Sequence, residues 1–181
     1  MMTQKPDFSG PKLSRRGLLG PLVPLVAAVS LSACGFKLRE APTYAFSTIF
    51  VRVGEASTLG NELRRNLEGS GNIEVITDTA RLNSAQVILD VTGDQREKTA
   101  VGLNSSGQVR EFQLRLRFKF KVRNQKGDEL IPEVELLQQR DMTYSESQAS
   151  AKEGEEQLLY RNMQSAIVQQ VIRRLGAIKA I

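Results

Sequence analysis

The stretch that decides the fold is FQLRLRFKFKVR, residues 112–123, in which apolar and polar side chains alternate. Successive side chains of a β-strand point to opposite faces, so this segment is predicted to be a strand with one apolar and one basic face. Like charges at this spacing repel one another unless something compensates them. The apolar row contains Phe112, Leu114, Leu116, Phe118, Phe120 and Val122. The basic row contains Arg115, Arg117, Lys119, Lys121 and Arg123.

The segments around this strand predict an α+β domain. Ser57 is suited to cap a helix that ends at Gly69, and a long helical stripe begins near Ser150 and includes Ile167. Strands are predicted at 47–53, 85–97, 109–123 and 130–144, with a short strand at 73–76 left open. We expect two helices packed on one face of a four-stranded mixed, mostly antiparallel sheet, in the order β-α-β-β-β-α. The basic row would then lie on the opposite face.

Two interpretations of the basic row remain open. Asp90 on the preceding strand, and Glu133 and Glu135 on the following one, are placed to form cross-strand ion pairs. Each such pair is worth only about 0.2–1 kcal/mol, but together they would make the row a structural feature. Alternatively, the row binds a phosphorylated glycolipid or an acidic protein surface.

Residues 1–33 have the features of a signal peptide for export. Arg15 and Arg16 belong to a basic segment that precedes an apolar run over 17–31. That run is too short and too interrupted by proline for a membrane span, and small residues follow it. The two arginines also follow Ser14, as in a twin-arginine signal, so Sec and twin-arginine export both stay open.

The sequence LSAC at 31–34 fits the lipobox of bacterial lipoproteins at every position. In such proteins the cysteine thiol takes a diacylglycerol, a peptidase cleaves before it, and the new amino group is acylated. Cys34 is the only cysteine of the chain, and Gly35 after it favours the outer membrane over the inner one. An ordinary signal with an incidental cysteine is the alternative. The predicted regions are a signal peptide at 1–33, a lipidated tether at 34–46 and a globular domain at 47–181.

Composition narrows the classes of function. The chain has a formal net charge of +5, but four basic residues and one acidic residue lie in 1–33, which leaves +2 for the mature protein. It contains no histidine, which excludes histidine-based general base catalysis and histidine metal ligands. We find no phosphate-binding loop, nucleophile motif or metal-ligand cluster. We therefore expect no enzymatic activity, no cofactor and no metal, with an unrecognised hydrolase as a third alternative.

A nucleic-acid-binding role is also disfavoured. RNA-binding sheets place aromatic side chains on the exposed face, where they stack on bases. Here Phe118 and Phe120 point away from the cations, and export would separate the protein from nucleic acid. A binding or assembly lipoprotein remains.

Several stretches together resemble the LptE family of lipopolysaccharide-assembly lipoproteins. LSACGFKLRE opens the mature chain, and LRRNLEGSGNIEVI, GQVREFQLRL and the ending ASAKEGEEQLLYRNMQSAIVQQVIRRL follow in the family's order. The resemblance covers nearly all of residues 34–181. It implies an outer-membrane, lipid-anchored protein that faces the periplasm or sits inside the β-barrel LptD. There it would act as a plug, as an assembly factor and as a binder of lipopolysaccharide. Another periplasm-facing envelope lipoprotein with a different partner is the alternative.

The resemblance also implies binding residues. In the family, lipid binding has been linked to a basic residue in the turn before the central strand and to a lysine ahead of the last helix. Lys152 matches the second position. The matching turn, 103–107, has no cation, and the nearest ones are Lys98 and Arg110. The candidate residues for binding lipopolysaccharide or a partner are therefore Lys152 and the basic row.

The lipobox generates the first prediction. Replacing Cys34 by alanine removes the thiol that takes the diacylglycerol, so Cys34→Ala should yield an unprocessed or unanchored protein. Metabolic labelling with a radioactive fatty acid measures this directly, with the wild-type chain as the positive control. Label that persists on the variant would contradict the assignment.

Overall fold

The computed structural model describes residues 43–181, which build one five-stranded sheet and the helices packed on it. The strands are β1 (Thr48–Arg52), β2 (Glu74–Ile76), β3 (Val87–Leu103), β4 (Val109–Asn124) and β5 (Glu129–Thr143). The α-helices in this part of the chain are α1 (Thr58–Glu68) and α2 (Ala149–Gly176), and short 3-10 helices occupy Thr79–Ser84 and Glu146–Gln148. The spatial order is β2-β1-β3-β4-β5, with β1 parallel to both its neighbours and β3, β4 and β5 antiparallel in series.

The predicted α+β class with a mixed, mostly antiparallel sheet is confirmed, but the predicted four strands are wrong. The fifth strand is β2, which pairs in parallel with β1. With only three residues it is too short to display a two-residue period. The prediction of two helices also omitted the 3-10 helices, which lack the long apolar stripe by which α1 and α2 were found.

The main core lies between the sheet and the two α-helices. The apolar row of β4 is central to it, because the side chains from Leu114 to Val122 on that face are at most 1% exposed. The α1 side chains in this core are Leu59, Leu63 and Leu67, and those of α2 include Met163, Ile167, Val168, Val171 and Leu175. The helical stripes predicted from the sequence therefore face the sheet, as expected.

The opposite face of the sheet is partly covered by the chain itself, which the expected packing of two helices on one face did not include. Phe50, Ile76 and Ile88 form a second small cluster there, together with Ala85. Leu82 of the 3-10 helix packs against this cluster. The cover reaches only the β2–β1–β3 end, so the basic row of β4 remains the dominant feature of the rest of that face.

The folded part begins before the predicted boundary at residue 47. Phe46 is only 4% exposed and belongs to the main core, and Tyr44 packs against it. Burial raises the pKa of the Tyr44 hydroxyl. Most of the predicted tether, together with Cys34, lies outside the described residues.

The start of α1 is fixed to β3. Ser57 caps the helix by accepting a hydrogen bond of 2.9 Å from the Gly60 amide, and its hydroxyl donates to Asp94 at 2.6 Å. The helix ends at Gly69, whose amide bonds back to the Arg65 carbonyl. The predicted cap and end of this helix are thus both confirmed.

Two turns of the same design connect β3, β4 and β5. In the first, the Asn104 side chain accepts from the amides of Ser106 and Gln108, at 3.0 and 2.9 Å. In the second, the Asn124 side chain accepts from the Asp128 amide at 2.9 Å. A glycine with positive φ completes each turn, Gly107 at 79° and Gly127 at 99°.

Strand β3 is longer than predicted and changes character along its length. Its first four residues are buried, but its register shifts between Val91 and Gly93, and the strand then continues to Leu103. Beyond this bulge its helix-facing side chains are charged, among them Asp94, Arg96 and Lys98. The predicted strand at 85–97 covers the first residues beyond this bulge, and only residues 98–103 were missed, because this part of the strand shows no apolar alternation.

The close packing of α1 on β1 generates the second prediction. A Cβ at Gly60 would lie 2.5 Å from Cγ1 of Val53, a β-branched side chain that has little freedom to move. Alanine favours a helix over glycine by roughly 1 kcal/mol, but overpacking costs typically 1–3 kcal/mol. We therefore expect Gly60→Ala to lower the free energy of unfolding.

Chemical denaturation of Gly60→Ala and of the double variant Gly60→Ala/Val53→Ala measures this effect. Removing the two methyl groups of Val53 should make alanine at position 60 tolerated, so the two substitutions should couple favourably. If Gly60→Ala is as stable as wild type, the contact with Val53 does not limit this helix.

Candidate binding surfaces

The basic row lies on the sheet face opposite the α-helices, as the alternation in β4 predicts. Its five side chains are half-buried, and so is Phe112 at the start of the apolar row, whereas the apolar side chains from Leu114 to Val122 are buried. The row is flanked by β3 on one side and β5 on the other, so its surroundings are the outward side chains of those two strands.

Carboxylates from both neighbouring strands compensate the middle of the row. Glu135 of β5 contacts Arg117 directly and accepts from Lys119 at 3.2 Å, and Glu97 of β3 lies 3.6 Å from Arg117 Nε. The hydrogen bond from Lys119 is the largest of the effects that hold the pKa of Glu135 below its ordinary value, and Arg117 adds to it. The hydrogen bond to Glu135 likewise raises the pKa of Arg117.

A second compensated group lies at the end of the row. Asp90, which is 8% exposed, sits between Arg123 and Arg52. Its Oδ2 is 3.0 Å from Arg123 Nε, and its Oδ1 is 3.2 Å from Arg52 Nη1. This carboxylate is therefore buried with a cation on each side, and Arg123 is held in place by it.

Two cations of the row have no carboxylate partner within residues 43–181. Arg115 donates to the Gln113 side chain at 2.8 Å, and Lys121 makes no ion pair there. The suggested pairing with Glu133 does not occur, because the β4–β5 register shifts between Phe120 and Val122. Glu133 falls within this irregularity and forms no ion pair within residues 43–181.

An open cleft of about 780 Å³ lies between β3, α1 and α2, on the helix side of the sheet. Apart from Lys98, which is the cation before the β3–β4 turn, its residues were not singled out from the sequence, because they come from distant segments and show no local pattern. The nearest sequence clue is the alternation of Arg96 and Lys98 beyond the bulge in β3. The cleft is lined by Thr58, Asn61, Arg65, Arg96, Lys98, Glu156, Gln157, Tyr160, Arg161 and Gln164.

Comparison with known proteins identifies the family. A model of the LptE family, described as lipopolysaccharide-assembly, matches residues 46–175. The chain belongs to the LptE family. The match spans every strand and almost the whole of α2, so the resemblance seen in the sequence is confirmed.

Three solved structures with similar folds are named as lipoproteins. An uncharacterized lipoprotein B from Nitrosomonas europaea has 29% sequence identity and a TM-score of 0.64, over 79% of this chain and 91% of that one. The rare lipoprotein B of Shewanella oneidensis shares the fold at 20% identity and a TM-score of 0.60, over 72% of this chain and 95% of that one. A minor lipoprotein from Acinetobacter baumannii also shares the fold. It has 16% sequence identity and a TM-score of 0.59, over 75% of this chain and 94% of that one. A search of curated proteins finds no match.

Lys152, the position suggested by LptE resemblance, lies inside α2 and not ahead of it. Its ammonium group donates to Glu155 at 2.8 Å and to the Thr143 hydroxyl at 3.2 Å, and its side chain is 15% exposed. The other family-linked position is the β3–β4 turn, where Leu103 is 64% exposed. Lys98, the cation before that turn, is paired with Glu156 at 2.6 Å. A role of Lys152 in binding stays a prediction.

Other kinds of site are not found in the described part of this LptE-family chain. No cluster of three metal-ligating side chains occurs within residues 43–181. No helix in the same range is long and apolar enough to cross a membrane.

The lowered pKa of Glu135 generates the third prediction. A carboxylate with a lowered pKa in the folded state stabilises the fold above its ordinary pKa, here 4.5, and loses this contribution as the pH falls through the lowered value. Wild type should therefore be more stable than Glu135→Gln at pH 7, and the difference should shrink below pH 4.5. Urea denaturation across this pH range measures the difference in stability.

Glu153→Gln is the control, because Glu153 is an exposed carboxylate of α2 that forms no ion pair within residues 43–181. An equal pH trend in both variants would contradict the ion-pair explanation.

Proposed function

We propose that this protein is an outer-membrane lipoprotein that works with the β-barrel LptD to assemble lipopolysaccharide into the outer leaflet. The observation that carries the proposal is the LptE family match over residues 46–175. In this role the domain would act as a plug and assembly partner of the barrel and would contact lipopolysaccharide. The LptE family is non-enzymatic, which agrees with a binding role.

The arrangement of charges supports a location inside a barrel. The lumen of a transmembrane β-barrel is polar, so a domain within it needs a polar surface. The outer face of β4 offers such a surface, with cations that are partly compensated by Glu97, Glu135 and Asp90. Arg115 and Lys121 retain uncompensated charge and are therefore the members of the row best placed to bind an anionic group of the partner.

The predicted lipid anchor would keep the domain close to the membrane. If Cys34 carries the acyl chains, eight residues separate it from residue 43, the first described residue. A fully extended chain covers at most about 3.3–3.6 Å per residue, so the domain would lie within roughly 30 Å of the anchor. Three acyl chains exceed what stable membrane attachment requires.

The first test is capture of the native complex. The full-length lipoprotein, solubilised from its own membranes in mild detergent, should bring down a large β-barrel that mass spectrometry identifies as LptD. Capture of a different envelope protein in its place would favour the alternative of a lipoprotein with another partner.

The uncompensated cations generate the fourth prediction. The double variant Arg115→Glu/Lys121→Glu should remain folded and should retain less barrel than wild type, most clearly at low salt, where charges are least screened. Arg117 is left unchanged, because it forms ion pairs with Glu97 and Glu135. Arg115 and Lys121 lie opposite Glu97 and Asp90 in the strand register but form no ion pair within residues 43–181. Co-purified barrel is quantified at two salt concentrations, with circular dichroism as the control for folding.

The matched control is Arg173→Glu/Lys179→Glu, which makes the same change of charge at exposed positions near the end of the chain. It should retain more barrel than the double variant in the basic row. Unchanged barrel binding by Arg115→Glu/Lys121→Glu would leave the basic row with a structural role only.

A further inference from the structure

The cleft between β3, α1 and α2 has a charge pattern unlike that of the basic row. Arg65 projects from α1, Arg96 from β3 and Arg161 from α2, and all three line the same cleft. We call it the arginine cleft. It lies on the helix side of the sheet, so it is separate from the basic row, and neither Lys152 nor the β3–β4 turn contributes to its lining.

None of these three arginines has a carboxylate partner within residues 43–181. Arg65 and Arg161 are exposed and form no ion pair there, and Arg96 bonds only to neutral groups. The one carboxylate that lines the cleft, Glu156, is paired with Lys98 at 2.6 Å. The cleft therefore concentrates positive charge that the folded chain leaves uncompensated.

Arg96 is held in a fixed position at the cleft. Its Nη2 donates to Thr58 Oγ1 at 2.7 Å and to Gln164 Oε1 at 3.0 Å, and its guanidinium lies 5.3 Å from the centre of the Tyr160 ring. Gln164 is 6% exposed, and its amide nitrogen donates to Glu62 at 2.6 Å. These contacts, one of them to the buried Gln164, orient one guanidinium before any ligand arrives, which reduces the entropy lost on binding.

We propose that the arginine cleft binds a phosphorylated saccharide through its phosphate groups. A guanidinium group binds phosphate through two parallel hydrogen bonds. Three arginines without carboxylate partners offer more donors than a single phosphate group requires. The volume is within the range of sites for small organic ligands and is larger than one phosphate ion requires. The amides of Asn61 and Gln157 supply further polar contacts, and Tyr160 is the only aromatic or aliphatic hydrophobic side chain of the lining.

This lining favours a sugar phosphate over acyl chains. A phosphorylated saccharide reaches the cleft either as a free molecule or as the headgroup of a glycolipid. The glycolipid source rests on the proposed function, whereas phosphate recognition by the cleft does not. A failure of the barrel-capture experiment would therefore leave this site to be judged separately.

The test uses the full-length lipoprotein in detergent and isothermal titration with glucose 1,6-bisphosphate, with glucose as the uncharged control. We expect the bisphosphate to bind and glucose not to bind, with an affinity that falls as salt is added. Lipid A is then tested as a competitor of the bisphosphate. If diphosphorylated lipid A competes and dephosphorylated lipid A does not, the site binds a lipid headgroup. Binding of the bisphosphate without such competition assigns it to a free sugar phosphate.

The decisive variant is Arg65→Gln/Arg161→Gln, which removes two exposed cations of the cleft and leaves Arg96 and its contacts intact. Hydrogen bonds between these arginines and phosphate would contribute to the free energy of binding. We therefore expect the variant to bind the bisphosphate with an affinity at least roughly ten-fold lower. Arg140→Gln/Arg173→Gln removes the same charge from exposed positions outside the cleft and should bind as wild type does.

Three results would overturn the proposal: no binding of the bisphosphate to wild type, unchanged binding by the cleft variant, or an equal loss in the control variant. The last would show attraction to the net charge alone. A different role would follow if wild type does not bind the bisphosphate and the cleft variant no longer captures the barrel. The arginines would then bind an acidic protein surface.

Discussion

The structure depends on the two-residue alternation of β4. This strand is paired on both edges, with β3 and β5, and its apolar face forms the centre of the core on which the helices pack. A shift of one residue would exchange the faces and put five cations into that core. The glycines of the two connecting turns, Gly107 and Gly127, adopt positive φ, and each turn holds the register of the strands it joins. The fold therefore has little freedom to place the basic row anywhere but outside.

The outside position alone does not make the basic row a binding site. Glu135 and Asp90 each contact two cations, and Glu97 adds a third carboxylate, so much of the charge is balanced by neighbouring strands. By contrast, the three arginines that line the cleft come from separate segments of the chain and have no carboxylate partners within residues 43–181. The availability of a charge is decided by its neighbours in space, and a cluster in the sequence is a poor guide to it.

The sequence predicted the elements whose periodicity is strong and missed those defined by pairing. The cap at Ser57, the apolar stripe of α2 and the alternation of β4 are local patterns, and all were found. Strand β2 has too few residues for a period, and the outer part of β3 is polar on both faces. Two other features depend on tertiary contacts that no single segment encodes. One is the register shift between β4 and β5 at Glu133, and the other is the contact of Gln164 with Thr58 and Arg96.

The two short turns also have a consequence for the order in which the protein folds. Strands β3, β4 and β5 are joined by two short turns and pair with one another in chain order, so contacts within this meander are local in sequence, and such hairpins form within microseconds. The long helix that covers its apolar face is the last element of the chain. During synthesis the meander therefore emerges before its cover, with Phe118 and Phe120 exposed on a sheet whose outer edge is unpaired. The chain is most prone to aggregation in this interval, because apolar surface and an open strand edge are exposed together.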